Sequence, residues 1–140
     1  MRTILCASVL TFLVGCGGDG TPAPQTGPSG EVDVSGSYKG TFTTDNVLFP
    51  MGTMAMTLTE DQTTHKVTGS FSGDVAGQKL AGTLTGVRSG SKLSIDVSVT
   101  LPIAAMLALR DATVSGNTIS GPFSITMPVM ATGSFTMTKQ

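Results

Sequence analysis

The sequence predicts an all-β protein, an eight-stranded antiparallel up-and-down barrel, and three observations support this fold class. From Ser35 onward, apolar side chains alternate with Thr, Ser and Lys, the period of strands with one face against a core. Five of these segments carry a glycine between apolar residues on the apolar face. The second half of the region also repeats the first. Because 39% of the 140 residues are apolar and 12% charged, the chain can form one compact domain.

The alternation predicts which residues of each strand face the core. A glycine at such a position removes a side chain where the wall has to bend, which favours closure into a barrel. A two-sheet sandwich with glycines at bulges is the alternative. In chain order the core-facing positions are Tyr38, Gly40, Phe42; Met54, Met56, Leu58; Val67, Gly69, Phe71; Leu80, Gly82, Leu84; Leu93, Ile95, Val97, Val99; Met106, Ala108, Ala112, Val114; Ile119, Gly121, Phe123; and Ala131, Gly133, Phe135, Met137.

The repeat has a nearly constant spacing, which predicts that four strands have been duplicated into eight. Pro and Met are rare enough for their matches to be informative. The spacing is 52 residues for Pro50 and Pro102, Met54 and Met106, Gly69 and Gly121, and Phe71 and Phe123, and 51 for Gly82 and Gly133.

Residues 1–15 have the pattern of a secretory signal. Arg2 supplies a positive charge, and residues 4–14 form an apolar stretch too short to span a bilayer as a helix. The segment Leu13-Val14-Gly15-Cys16 resembles the lipobox of bacterial lipoproteins. The resemblance implies that residues 1–15 are removed and that Cys16 is diacylated, which makes the membrane a partner. Gly17, where an Asp would favour the inner membrane, implies the outer membrane. The alternative is a secreted protein in which Cys16 is a free thiol.

The remaining chain divides into two parts. We expect residues 16–33 to contain Cys16, lipidated as the resemblance implies, and a tether, and residues 34–140 to form the barrel domain. Residues 17–30 are mainly Gly, Pro and small polar residues, so we expect a flexible linker with a root-mean-square reach of about 20 Å. Because Cys6 lies in the removed segment, the mature chain has no internal disulfide.

The connections between strands predict two different ends of the barrel. In a meander, alternate connections lie at the same end. Residues 60–65, 88–91 and 115–117 are polar, whereas residues 47–51, 101–106 and 127–130 are apolar and contain proline. An apolar rim is a candidate binding surface. The predicted ligand-binding residues are Phe49, Pro50, Met51, Met54, Pro102, Ile103, Met106, Met127, Pro128, Met130, Arg110 and Tyr38.

The eight-strand meander that starts with Gly36-Ser37-Tyr38 is similar in architecture to the lipocalins and avidins. The resemblance implies a small apolar molecule that enters through the open end. Lipocalins have a tryptophan at the place of Tyr38, and the chain has no tryptophan to build an avidin-type biotin pocket. Biotin is therefore not expected.

Arg110 and Tyr38 are the polar candidates within the barrel. If the sixth strand keeps the parity of Met106 and Val114, Arg110 points inward, where a ligand carboxylate would neutralise it and Tyr38 would donate a second hydrogen bond. A one-residue shift in register instead turns Leu107 and Leu109 inward and Arg110 to water.

Other chemistries have little support in the sequence. The spacing of Met51, Met54, Met56, Met127 and Met130 is similar to copper(I)-binding segments, but methionine more commonly fills cores and adaptable ligand surfaces, and no metal or cofactor is predicted. The single histidine, His65, is expected to be solvated in a polar turn, so no enzymatic activity is predicted. Lys and Arg are scattered, which argues against nucleic acid as a partner.

The sequence leaves two functions open. The first is a lipid-anchored envelope protein that binds or carries a small apolar ligand at the open end of the barrel. The second is a structural or adhesive module that docks its apolar rim onto a protein or a membrane. The interior distinguishes them, because a cavity favours a ligand whereas a solidly packed interior favours docking.

Overall fold

A computed structural model describes residues 33–140 of the chain. The predicted signal, lipobox and most of the tether lie in residues 1–32, outside the described residues. Within residues 33–140 there is no helix with the length and apolar character needed to cross a membrane. The strands are β1 (Gly36–Thr44), β2 (Met51–Glu60), β3 (Lys66–Val75), β4 (Gln78–Ser89), β5 (Lys92–Leu101), β6 (Ala105–Ser115), β7 (Thr118–Met127) and β8 (Ala131–Lys139).

The eight strands close into a single up-and-down barrel. Each strand pairs antiparallel with the next, and β8 returns to pair with β1, which places Phe42 opposite Phe135 and Tyr38 opposite Lys139. This closure confirms the predicted fold class and excludes the sandwich. It also leaves none of the eight strands with an unpaired edge.

The inner face of the barrel carries the core, and its glycines lie where neighbouring backbone or rings approach closely. A Cβ on Gly69 would collide with the carbonyl oxygen of Thr57 on β2. At Gly133 a Cβ would lie 2.8 Å from the ring of Phe123, which covers this glycine. The predicted inward glycines therefore make room for close approach of the wall and for packed phenyl rings.

Strand β6 departs from simple alternation because it contains a β-bulge. Opposite β7, Leu109 pairs with Phe123 and Thr113 with Ser120, so β6 has one residue more than its partner between these pairs. Asp111 lies within the bulge and adopts the positive φ of 54°. The bulge reverses the parity of the strand, so that Leu109 faces inward before it and Ala112 and Val114 face inward after it.

The bulge also makes the two halves of the barrel unequal. Phe71 on β3 and Phe123 on β7 are both buried, as the repeat suggests, but Met54 is buried whereas Met106 is 48% exposed. Met106 was expected to face the core, and this expectation is wrong because Met106 precedes the bulge and lies on the opposite parity to Leu107 and Leu109. The duplication itself stays a prediction.

Candidate ligand-binding site

The barrel is hollow at one end. A cavity of about 240 Å³ opens where the connections β1–β2, β3–β4, β5–β6 and β7–β8 meet, which we term the open end. Its inner wall includes the rings of Phe42, Phe71 and Phe123, all buried. The rings of Phe42 and Phe123 pack edge to face, with centroids 5.7 Å apart at an angle of 87°. The walls are therefore apolar and fixed by packing.

Apolar loop residues form the mouth of this cavity. Phe49 comes from the β1–β2 connection, Pro102 and Ile103 from β5–β6, and Pro128 and Val129 from β7–β8. Large apolar side chains are exposed around it, including Val47 at 89% and Met130 at 83%. The predicted apolar rim at one end is thus present in the structure.

The β1–β2 connection is held in place by hydrogen bonds. Thr44 Oγ1 donates to the carbonyl oxygen of Phe49 at 2.6 Å, and the backbone N–H of Leu48 donates to Asn46 Oδ1 at 2.9 Å. The Asp45 carboxylate accepts from the backbone N–H and the hydroxyl of Thr132, both at 2.9 Å, and these bonds lower the pKa of Asp45. The loop that carries Phe49 is thereby fastened to β8 across the barrel seam.

The predicted site residues separate into two groups. Those that line the cavity are Phe49, Met54, Pro102, Ile103 and Pro128. The others at the rim are exposed and are not part of the cavity wall: Pro50, Met51, Met106, Met127 and Met130. The methionines considered for copper(I) are likewise divided, since Met54 and Met56 are buried on the inner face whereas Met51, Met127 and Met130 are exposed.

The two polar candidates do not reach the cavity. The expected inward orientation of Arg110 is wrong, because the β6 bulge places it on the outer surface, where its side chain is 55% exposed and pairs with Asp96. Leu107 and Leu109 line the cavity instead, as the alternative register predicts. Tyr38 is buried, with 1% of its surface exposed, and does not contact the cavity.

The opposite end, which we term the closed end, contains a buried ionic cluster. Arg88 Nε donates to Glu60 Oε1 at 2.6 Å, and the two side chains are 1% and 0% exposed. Arg88 also donates through Nη1 to the carbonyl oxygen of Gly90 at 2.8 Å. His65 Nδ1 lies 3.2 Å from both Glu60 Oε1 and Arg88 Nη2, so its tautomer decides which of the two it bonds.

The cluster also holds the start of the barrel domain. Glu60 Oε2 accepts from the backbone N–H of Val34 at 3.1 Å, and the backbone N–H of Glu60 donates to Ser35 Oγ at 2.9 Å. The chain therefore crosses the closed end before β1 begins. Burial and the negative charges of Asp33 and Glu60 raise the pKa of the nearby Tyr38 to about 12.

Sequence reasoning missed this cluster because it assigned Glu60, His65 and Arg88 to solvated turns. His65 was expected to be solvated, but its side chain is 35% exposed and bonded within the cluster. The alternation of inward and outward residues along the strands could have revealed the cluster. Glu60 follows Met56 and Leu58 on the inward face of β2, and Arg88 follows Leu84 on the inward face of β4.

Residues 33–140 contain no group of three or more His, Cys, Asp or Glu side chains arranged to hold a metal ion.

Comparison with known proteins gives a structural match only. No protein family model matches the chain. The curated proteins contain no significant match to it. A solved structure described as "Structure of EF1p2_mFAP2b bound to DFHBI" superimposes with a TM-score of 0.66 at 11% sequence identity. The match covers 76% of this chain and 94% of the other, so the two share the eight-stranded barrel fold.

Proposed function

We propose that this protein binds a small apolar molecule in the cavity at the open end of its barrel. The cavity itself carries the proposal. An engineered cavity of about 150 Å³ with apolar walls takes up benzene, so the 240 Å³ here holds one or two rings of a ligand, and a further ring can extend into the open mouth. The barrel that shares this fold is described as bound to DFHBI, which supports the binding of a small molecule by a barrel of this kind.

The alternative function, docking of the rim onto a protein or a membrane, has weaker support. It would be favoured by an interior filled with side chains, whereas Phe42, Phe71 and Phe123 stand around an open space. The exposed apolar residues of the rim offer a surface through which an apolar ligand can enter the cavity. We propose that the protein acts by binding, not by catalysis.

We test this function with N-phenyl-1-naphthylamine, whose fluorescence rises in apolar surroundings, added to the purified full chain. Leu80 on β4 lines the cavity, and the next residue, Ala81, is exposed on the outside of the barrel. Leu80→Trp fills the cavity and should weaken probe binding at least about tenfold, a change of about 1.4 kcal/mol. Ala81→Trp adds the same side chain outside and should leave it unchanged. Equal affinity in both variants would refute binding in the cavity.

We further propose that the protein is anchored by lipid on Cys16 in a bacterial envelope, at the outer membrane. The lipobox-like segment 13–16 and Gly17 support this proposal. Since the described chain begins at the closed end, the tether would join the barrel domain on that side. Two or three acyl chains hold a protein firmly at a bilayer.

Metabolic labelling with radioactive palmitate in a bacterial host tests the anchor. The chain should be labelled, Cys16→Ser should abolish the label, and Cys6→Ser should keep it because Cys6 lies in the removed segment. Label that persists in Cys16→Ser would contradict lipidation at this residue.

A further inference from the structure

The cavity lining contains no charged side chain among the described residues. Its polar members are Thr44, Asn46 and Gln78. Arg110, the cation expected to meet a ligand carboxylate, lies on the outer surface with Asp96. The buried cation, Arg88, is at the opposite end and is paired with Glu60. A carboxylate placed in the cavity would therefore lose its hydration without gaining a cation.

The polar groups of the lining lie toward the mouth, and two of them are used by the loop. Thr44 Oγ1 donates to the carbonyl oxygen of Phe49, and Asn46 Oδ1 accepts from the backbone N–H of Leu48. Gln78, the first residue of β4, is exposed, and its side-chain amide offers both a donor and an acceptor. A hydroxyl or carbonyl group at one end of a ligand can bond there while the rest lies among the phenyl rings.

We propose that the ligand is an uncharged compact molecule with at most a neutral polar group, such as an alcohol or a phenol, and not a fatty acid or another carboxylate. This inference rests on the proposed function and specifies its ligand class. The neutral end lies at the mouth beside Gln78, and the apolar body contacts Phe42, Phe71 and Phe123.

Displacement of N-phenyl-1-naphthylamine by a matched pair of competitors tests the ligand class. At neutral pH 2-naphthol is uncharged and 2-naphthoate is an anion, although their ring systems are identical. We expect 2-naphthol to displace the probe at a concentration at least about tenfold lower, because the carboxylate finds no cation in the lining. Equal or stronger displacement by 2-naphthoate would overturn the neutral class while leaving the proposed function standing. Failure of the probe itself to bind would overturn both.

A gain-of-charge variant provides a second, independent measurement. Gln78→Lys introduces a cation at the mouth and should increase the affinity for 2-naphthoate several-fold while leaving that for 2-naphthol within about twofold. Ala81→Lys has the same net charge but places it on the outer face of β4. It should leave the preference unchanged. If Ala81→Lys shifted the preference as much as Gln78→Lys, the neutral lining would not be the cause and the proposal would fail.

Discussion

The two ends of this barrel are built from the same strands but differ in how their interiors are filled. At the closed end the interior is filled, and the pair of Glu60 and Arg88 lies under the chain that leads into β1. At the open end the same strands surround a cavity with apolar walls, and large apolar side chains are exposed. A closed sheet stabilised at one end can thus leave the other end free for a ligand.

The difference between the ends arises from small changes in side-chain type along the strands. On β2 the inward residues run from Met54 at the cavity to Leu58 and then Glu60, so an apolar series ends in a charge. On β4 they run from Leu80 to Leu84 and then Arg88. Because both series end at the same level, the two charges meet and neutralise each other.

The largest expected effect comes from breaking that pair. Arg88→Met removes the guanidinium that lies 2.6 Å from the Glu60 carboxylate, which then stays buried without this partner. The free energy of unfolding should therefore fall by about 3–5 kcal/mol. Urea denaturation measures this loss. The double variant Glu60→Leu with Arg88→Met removes the uncompensated charge and should regain much of it. A loss below about 1 kcal/mol in the single variant would mean that the pair contributes no more than a surface ion pair.

The same substitution at each end gives the sharpest comparison. Leu93 is fully buried and lies opposite Arg88. Leu93→Ala should lower the free energy of unfolding by about 2–5 kcal/mol, because the substitution creates a cavity in a packed region. Leu80 is half-buried at the cavity wall, so Leu80→Ala should cost about 1 kcal/mol. Equal losses in urea denaturation would contradict the view that the two ends are packed differently.

Tyr38 reports on the closed end through its titration. As the single tyrosine of the chain, it can be followed by the ultraviolet absorbance of tyrosinate. Burial and the neighbouring negative charges raise its pKa from 10.0 to about 12. The folded state therefore retains the proton over this interval while the unfolded state loses it, so stability is full below pH 10.0 and declines as the pH rises toward about 12.

One variant and the titration midpoint of the unchanged protein check this assignment. Tyr38→Phe should remove the titration, and the stability decline between these pH values should become shallower. A titration midpoint for the folded protein near 10.0, the ordinary pKa of tyrosine, would show that the phenol is not buried beside the charges of Asp33 and Glu60.

The sequence predicted the fold and the apolar rim because both depend on a regular pattern. Alternation from Tyr38 to Met137 determines the inner face, and proline-containing connections such as Met127–Met130 fall at one end by the geometry of a meander. The site was less predictable because one extra residue in β6 changes which side chains face inward, and the residue types of that strand do not indicate a bulge. The cavity depends on how much space the phenyl rings leave, which only packing decides.

Arg110→Leu has the smallest expected effect and tests where the bulge lies. Because Arg110 and Asp96 are both more than half exposed, their ion pair should contribute less than about 1 kcal/mol to stability. We expect little change in urea denaturation and an unchanged affinity for N-phenyl-1-naphthylamine. Binding of 2-naphthoate should also be unaffected, since the guanidinium points away from the cavity. A selective loss of 2-naphthoate binding would place Arg110 inside the barrel, and the extra residue of β6 would then have to lie elsewhere than between Leu109 and Thr113.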